Sequence, residues 1–247
     1  MTVPTQVRVS GVSNVTANEQ DVLVYRSDVP RSTTRTAVIY CHSGGANALE
    51  AFRPVPDSSY FKILRMVAAA GLPIMSHDLG GPWNWGNPTS STRINSVHSY
   101  MQTKLGVRSD RLLLLGASMG AMCAINHAHN NSGLVKAVAG VFPAIDQEDP
   151  AIAFAVNDMN AAYGDQATRQ GLASTRNPYT YRASYTVPTH LLYSTNDAVT
   201  VPGKVTAFAS ANTATTAVAM AAAGGHFDGV VSDSEAQAVV NFLLTRA

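Results

Sequence analysis

A glycine-flanked serine is the residue whose surroundings most directly predict covalent chemistry. Ser118 lies in the run Gly116-Ala117-Ser118-Met119-Gly120, which follows the apolar segment RLLLL and precedes a helical pattern. A sharp strand-to-helix turn holds its central residue in a strained backbone conformation, so the neighbours must be small. Such a turn lifts the hydroxyl above the sheet edge and places it at a helix N-terminus, where backbone N–H groups favour a developing oxyanion. We therefore interpret Ser118 as a nucleophile on a G-x-S-x-G elbow.

On this motif and its context, the chain resembles the α/β-hydrolase superfamily, in particular its small serine esterases and dienelactone-hydrolase-like enzymes. The resemblance covers nearly the whole chain, because an oxyanion loop, the serine, an acid and a histidine follow one another in the order typical of that superfamily. It implies a nucleophilic serine, a histidine base and an orienting carboxylate. It implies that neither a metal nor another cofactor takes part.

The oxyanion loop that the resemblance implies reads His42-Ser43-Gly44-Gly45, after the apolar segment TAVIYC. It is similar to the His-Gly-Gly-Gly type but has Ser43 where the first glycine usually stands. In the superfamily, one oxyanion donor is a backbone N–H of this turn, which maps to Ser43 or Gly44 here. The other donor is the N–H of the residue after the nucleophile, Met119. A backbone donor tolerates a change of side chain, so both positions in the turn stay open.

The carboxylate that the resemblance implies maps to Asp197, which follows an apolar segment and precedes Ala198-Val199-Thr200-Val201-Pro202. Its role would be to accept a hydrogen bond from the imidazole Nδ1–H and so fix the tautomer of the base. Asp197 is also a favourable turn residue. Asp146, after the preceding strand, is an alternative acid, because some related enzymes take the carboxylate from there.

His226 is the expected general base, in the run Gly224-Gly225-His226-Phe227-Asp228 before the last helical pattern. Histidine is the side chain that titrates near neutrality without perturbation, and the superfamily keeps its histidine in such a loop. His127 and His129 lie in the helix after the elbow, where packing or surface roles are expected, and they lack a nearby third metal ligand. The remaining histidines fit the role of base less well: His42, His77, His98 and His190.

Several aromatic and thioether side chains are candidates to shape a substrate pocket. Trp83 and Trp85 lie in a glycine-rich loop after a strand, while Phe142 follows another strand. The same expectation extends to His42 and to residues of a candidate cap, namely Phe154, Met159 and Tyr163. Ordinary core packing is an equally good interpretation of each. Since no charged cluster marks a site for phosphate or carboxylate, we expect a neutral and apolar substrate.

Alternating strand and helix patterns must position these residues. Strands are predicted at 6–12, 22–26, 36–41, 72–75, 111–115, 135–141, 188–193 and 216–222, and helices at 57–70, 89–105, 119–130, 151–163, 201–212 and 232–244. This alternation predicts an α/β class with a mostly parallel twisted sheet, helices on both faces and two N-terminal antiparallel strands, as in the α/β-hydrolase fold. A Ser or Thr near Ser90 is expected to cap the second helix.

The chain is expected to form one α/β-hydrolase domain over residues 1–247. The segment 146–185 breaks the alternation and is predicted to hold one helix, at 151–163, followed by a Pro- and Tyr-rich tail. An insertion between two sheet strands is a natural cap or lid over a site. A second packing layer with no role in access is the alternative.

Composition limits the classes of partner. The chain has 17 basic and 16 acidic residues, for a net charge of +1, so it lacks the basic surface of a nucleic-acid-binding protein. Its 46% of hydrophobic residues exclude a disordered chain. Cys41 and Cys123 are too few for a disulfide framework and are expected to be buried thiols, although they could pair. No apolar run reaches the roughly 20 residues that span a bilayer, and the N-terminus lacks a signal-peptide pattern.

These patterns predict a serine hydrolase that cleaves carboxylic esters through Ser118, His226 and Asp197. Acyl transfer and peptide hydrolysis stay open, because the same residues would carry them. A catalytically idle structural or binding module is a further alternative, since some bacteriophage tail-associated proteins combine this fold with a glycine-rich loop like residues 78–86. The expected partners are a small-molecule or cell-envelope ester and a virion or homo-oligomer assembly. The expected location is the cytoplasm or a virion.

Overall fold

The protein contains an eight-stranded sheet. Its computed structural model describes residues 5–9, 21–25, 36–49, 59–221, 224–226 and 231–247. Its strands are β1 (Thr5–Val9), β2 (Asp21–Tyr25), β3 (Ala37–Cys41), β4 (Ile74–Ser76), β5 (Leu112–Ala117), β6 (Val135–Val141), β7 (Thr189–Tyr193) and β8 (Thr215–Ala219). Their order across the sheet is β1-β2-β4-β3-β5-β6-β7-β8. Strands β3 to β8 run parallel, whereas β2 pairs antiparallel with both β1 and β4. The predicted α/β class and antiparallel N-terminal edge are confirmed.

Helices cover both faces of this sheet. Their bounds are α1 (Ser59–Ala69), α2 (Pro88–Leu105), α3 (Met119–Asn130), α4 (Val156–Tyr163), α5 (Gln166–Gly171), α6 (Ala173–Arg176), α7 (Pro178–Tyr181), α8 (Pro202–Ser210) and α9 (Asp233–Leu244). Parts of the predicted elements, at 10–12, 26, 57–58 and 222, lie outside the described residues.

The central strands are apolar on both sides because each side packs on helices. In β5, Leu113 and Leu115 lie in the core formed with α1 and α9, whereas Leu112 and Leu114 lie in the core formed with α2, α3 and α8. Successive side chains of a strand point to opposite faces, so a strand covered on both sides has no position for a polar residue. The run RLLLL therefore predicts a central strand of a parallel sheet.

The start of α2 differs from the sequence prediction. Asn87 caps this helix, because its side-chain oxygen accepts a hydrogen bond of 2.8 Å from the backbone N–H of Ser90. The expectation of a Ser or Thr cap near Ser90 is therefore wrong. The sequence signal is Pro88, which fits the first helical position since its missing N–H has no intrahelical acceptor there.

The segment 146–185 also differs from the prediction of a single helix. A 3₁₀ helix spans Pro150–Ala155, and Ile152 has non-helical backbone angles within it, so α4 begins only at Val156. The tail holds the short helices α5, α6 and α7 and a further 3₁₀ turn at Arg182–Ser184. Frequent helix breaks follow from side chains such as Asp165, which caps α5 by accepting from the Thr168 N–H at 2.7 Å.

Candidate active site

The candidate residues gather at the carboxyl edge of the parallel strands. The loop 42–45 follows β3, the loop 78–86 follows β4, and Ser118 follows β5. Asp197 and His226 come after β7 and β8. Because parallel strands all end at the same edge, residues far apart in sequence meet there.

Ser118 occupies a strained turn between β5 and α3. Its φ of +52° and ψ of −118° lie outside the regions that a residue with a Cβ ordinarily adopts. The Ser118 N–H donates to the Val141 carbonyl at 2.9 Å, and the Ser118 carbonyl accepts from the N–H of Ala144 at 3.1 Å. These bonds to the strand β6 and the loop after it hold the turn in its conformation.

Two glycines make room for this turn. A Cβ at Gly116 would collide with the backbone of Gly120, and a Cβ at Gly120 would collide with the carbonyl oxygens of Cys41 and His42. The N-terminus of α3 therefore packs directly on the end of β3. Only glycine permits this approach, which brings the serine next to the loop 42–45.

Two hydrogen bonds join Ser118, His226 and Asp197. His226 Nε2 lies 2.9 Å from Ser118 Oγ, and His226 Nδ1 lies 2.7 Å from Asp197 Oδ2. An ionised carboxylate can only accept, so Nδ1 carries the proton and Nε2 is left to accept from the serine hydroxyl. Ser118, His226 and Asp197 are 9%, 4% and 5% exposed, respectively. Asp146 is not part of this arrangement, because its carboxylate instead binds Lys204 Nζ at 2.8 Å.

Asp197 accepts four hydrogen bonds. Its Oδ1 accepts from the N–H groups of Val199 and Thr200, both at 2.8 Å, and its Oδ2 accepts from Thr200 Oγ1 at 2.6 Å as well as from His226. Burial alone would raise the pKa of Asp197, but the hydrogen bonds from His226 and Thr200 outweigh it and hold that pKa below its ordinary value. Sequence reasoning missed the contribution of Thr200; its position three residues after an aspartate that forms a turn is the signal that could have indicated it.

The residues predicted for oxyanion binding line the same cavity as Ser118. Met119 is the first residue of α3, whose leading N–H groups have no acceptor within the helix. Ser43 and Gly44 line the same cavity as Ser118 and His226. The indole of Trp83 rests on Gly44, where a Cβ would come within 2.6 Å of Trp83 Cζ3.

His42 ties two loops together. It is fully buried, and its two ring nitrogens lie 2.8 Å from the Ser43 carbonyl oxygen and 2.9 Å from the Asp78 carbonyl oxygen. The neighbouring Gly45 N–H donates to the Pro82 carbonyl at 2.8 Å. The loop 42–45 is thus held against the loop 78–86, and His42 does not belong to the cavity lining.

A cavity of about 490 Å³, open to solvent, lies over Ser118. Trp83 and Trp85 form part of its wall, with ring centroids 6.4 Å apart and planes inclined by 16°. Among the described residues, His226 is the one ionisable side chain in the lining. The lining residues are Ser43, Gly44, Trp83, Trp85, Ser118, Met119, Ala144, Ile152, Phe154, Val199, Thr200 and His226. The predicted pocket residues Trp83 and Trp85 are therefore at the cavity.

Two other predicted pocket residues lie outside this lining. Phe142 has a φ of +49°, and its ring packs with its edge toward the His226 ring, 5.7 Å between centroids. Met159, on α4 of the segment 146–185, is buried in an apolar cluster with Trp85 and Met122. Both side chains support residues of the site from behind.

Trp85 is held in place by side chains from the segment 146–185. Its φ is +47°, and its carbonyl oxygen accepts from Tyr163 Oη at 3.0 Å and from Gln147 Nε2 at 3.2 Å. Burial raises the pKa of Tyr163 well above its ordinary value, so its hydroxyl stays protonated and able to donate. Sequence reasoning offered Tyr163 as a candidate pocket residue, with core packing as the alternative, and Tyr163 lies outside the cavity lining. It missed Gln147, because no local signal marks a buried glutamine as a partner of a loop carbonyl.

His127 and His129 make contacts away from Ser118, and both cysteines are buried. Burial lowers the pKa of His127 to about 3, and its Nδ1 lies 2.8 Å from Ser91 Oγ. His129 stacks on Tyr181 at 3.8 Å. Cys41 and Cys123 are buried free thiols. In the ranges that the structure describes, no group of three or more His, Cys, Asp or Glu is arranged to hold a metal ion.

In the described part of the chain, none of the helices is long and apolar enough to cross a bilayer.

Comparison with known proteins shows similarity at the level of structure. No protein-family model and no curated protein sequence matches the chain. Est1E from Butyrivibrio proteoclasticus has 13% identity and a TM-score of 0.68, with 99% of each chain covered. Carboxyl esterase 2 from the mycorrhizal fungus Tuber melanosporum has 14% identity and a TM-score of 0.68, over 100% of this chain and 89% of that one.

A larger protein is similar as well. A candidate dipeptidyl aminopeptidase IV from Bacteroides ovatus has 11% identity and a TM-score of 0.70 over 99% of this chain. This chain spans only 36% of the length of that protein. The TM-scores establish a shared architecture in spite of the low identities, and on that basis the chain has the α/β-hydrolase fold.

Proposed function

We propose that this protein is a serine hydrolase that cleaves carboxylic esters through a triad of Ser118, His226 and Asp197. One observation carries the proposal: hydrogen bonds of 2.9 Å and 2.7 Å link the three side chains in series on a strained elbow. A buried serine within hydrogen-bond reach of a histidine that a carboxylate orients is the arrangement of an activated nucleophile.

In the proposed reaction, Ser118 Oγ attacks the ester carbonyl while His226 Nε2 takes the hydroxyl proton. The oxyanion is held by the N–H of Met119 and the N–H of Ser43 or Gly44. His226 then passes its proton to the leaving alcohol, which leaves an acyl group on Ser118. Water, deprotonated by His226, releases the acid and restores the serine. Asp197 keeps Nδ1 protonated and stabilises the imidazolium that forms in each half-reaction.

The cavity supports an uncharged ester as the substrate. Among the described residues, its lining offers no Lys, Arg, Asp or Glu to pair with a charged group on a ligand. Two of the similar structures are esterases, and Est1E has also been solved with ferulic acid bound. Acyl transfer, peptide hydrolysis, a dienelactone-hydrolase-like subtype and a virion association stay predictions.

We also propose that the chain acts as one domain in which residues 146–185 form a fixed cap. Ile152 and Ala155 of this segment pack on Met119 and Met122 of α3 in a buried apolar cluster. Buried polar bonds add to that contact, as where Asn126 Nδ2 donates to the Arg176 carbonyl at 2.7 Å. Lifting the segment would exchange these bonds for bonds to water and would expose the apolar cluster, and the second cost in particular favours a fixed position.

Labelling with a fluorophosphonate probe, read by intact mass, tests the proposed function. Wild type is expected to gain one adduct, and Ser118→Ala is expected to gain none. Hydrolysis of p-nitrophenyl acetate should fall to residual levels in the same variant. A folded wild type without an adduct would contradict the proposal and favour a binding module. If wild type forms the adduct but transfers the acyl group of an ester to an added alcohol instead of to water, the protein is an acyltransferase.

A further inference from the structure

Phe154 stands apart from the other large apolar residues of the described chain. Its side chain is 67% exposed, and Leu244, at 39%, is the other exposed one. A single exposed apolar residue needs no explanation by itself. Phe154, however, belongs to the lining of the cavity over Ser118, whereas Leu244 ends the helix α9 and is not part of that lining.

The backbone beneath Phe154 is firmly held. Asp149 caps the 3₁₀ helix Pro150–Ala155 by accepting from the Ala151 N–H at 2.9 Å. On the same short helix, Ile152 and Ala155 are buried in the apolar cluster that contains Trp85 and Met119. With its neighbours packed inward, Phe154 is held outward at the rim of the cavity.

Apolar lining continues from the serine to this rim. Met119 and Trp85 lie next to Ser118, Ile152 belongs to both the cavity and the cluster beneath it, and Phe154 extends the wall into solvent. A short ester bound at Ser118 would have its nearest apolar contacts in the inner part of this wall, with Phe154 left to solvent. An ester with a longer apolar group would cover the phenyl ring and gain apolar contact there.

We propose that Phe154 forms an outer subsite for the apolar end of the substrate, and that the substrates of this site are esters with an extended alkyl or aryl group. This inference rests on the proposed function. Covering about a quarter of a phenyl side chain, ~50 Å², favours binding by a factor of about eight. Phe154 would thus determine specificity for length without affecting the chemistry at Ser118.

The experiment compares Phe154→Ser with Leu244→Ser, which removes the other exposed apolar side chain at a position outside the cavity lining. Values of kcat/KM are measured for p-nitrophenyl esters from acetate to octanoate, and for acetate esters of alcohols of the same lengths. For Phe154→Ser, the ratio of wild-type to variant kcat/KM should be near one for the shortest ester. It should rise to about eight with length in at least one series. Leu244→Ser should give a ratio near one throughout, and Phe154→Leu should restore most of the loss.

A ratio that does not change with length in either series would overturn the inference, provided that wild type hydrolyses the esters and Ser118→Ala does not. Equal effects of Phe154→Ser and Leu244→Ser would overturn it as well. If wild type hydrolyses no ester, or if Ser118→Ala hydrolyses them equally well, the proposed function fails and this inference fails with it.

Discussion

The hydroxyl of Thr200 offers a sharp test of how the candidate triad is organised. Thr200 Oγ1 donates to Asp197 Oδ2 at 2.6 Å, on the same oxygen that accepts from His226 Nδ1. Thr200→Val removes this donor while keeping a β-branched side chain of similar shape. Asp197 Oδ1 keeps its two backbone donors, so the carboxylate stays in place but loses one of the bonds that favour its charge.

The size of the effect follows from the kind of bond that is lost. A hydrogen bond to a charged group contributes roughly 1.5–3 kcal/mol. Part of that loss is recovered, because Oδ2 can bind His226 more strongly once it has a single donor. We expect a net cost of about 1.4 kcal/mol in transition-state stabilisation, which is about tenfold in kcat. KM should stay within about twofold, because Asp197 acts through His226 and because Val keeps the shape that Thr200 presents to the cavity.

The pH dependence supplies a second readout with a defined sign. Hydrogen bonds lower the pKa of Asp197, so its ionised form contributes stability above the ordinary pKa, and this contribution is lost as the pH falls through the lowered value. Thr200→Val removes one of the groups that lower this pKa, so its free energy of unfolding should be lower than that of wild type near neutrality, and this deficit should shrink as the pH falls below about 4.

The assays are p-nitrophenyl ester hydrolysis at pH 8 and urea unfolding from pH 3 to 8, with Thr206→Val as the control. Thr206 is exposed on α8, and its hydroxyl donates to the Pro202 carbonyl at 3.2 Å, away from the candidate triad. The control should leave kcat and the pH dependence of stability unchanged. Wild-type kcat in Thr200→Val, or a stability deficit that does not change with pH, would refute the reasoning. A rise in KM at constant kcat would refute it too.

Three further predictions follow from the contacts. Gly120→Ala should lower the melting temperature by several degrees and abolish fluorophosphonate labelling, because its Cβ would collide with backbone carbonyls; Gly133→Ala, with open space around the added Cβ, should do neither. Tyr163→Phe removes a donor to the Trp85 carbonyl and should cost about 1 kcal/mol in urea unfolding, and an unchanged midpoint would contradict that role. Asp146→Asn should keep ester turnover within a few-fold of wild type. Bonds from Lys204 and Asn177 outweigh burial and lower the pKa of Asp146, so the variant should be less stable than wild type near neutrality. This deficit in the free energy of unfolding should shrink below about pH 4, and a deficit that does not change with pH would contradict the role of Asp146.

The sequence predicts the parts of the fold and site that short-range chemistry determines. Ser118 could be found because an elbow needs small residues at fixed positions next to it, and those glycines are visible in the sequence. The buried strand before it could be found because a strand covered on both faces must be apolar throughout. The predicted bounds of α3 and β6 match the structure, since each is bounded by an unambiguous turn.

The sequence does not show which way a side chain points after a strand ends. Phe142 and Trp85 both follow strands and both have positive φ, yet Trp85 lines the cavity while Phe142 lies behind His226. A non-glycine residue adopts such a backbone angle only where surrounding contacts impose it. Those contacts come from distant segments, as with Gln147 and Tyr163 on the Trp85 carbonyl, so no local pattern encodes them.

The same contacts imply that the cavity wall and the loop 42–45 behave as one unit. His42 binds the Asp78 carbonyl, Gly45 donates to the Pro82 carbonyl, and Trp83 rests on the loop glycines. A displacement of the wall would therefore move the backbone N–H groups proposed to bind the oxyanion. Since small errors in donor position cost large factors in rate, substitutions in the loop 78–86 should lower kcat as well as raise KM. Phe154 lies at the rim, and no hydrogen bond joins its side chain to the loops 42–45 and 78–86. Phe154→Ser should therefore lower kcat/KM for long esters and leave the turnover of short esters intact.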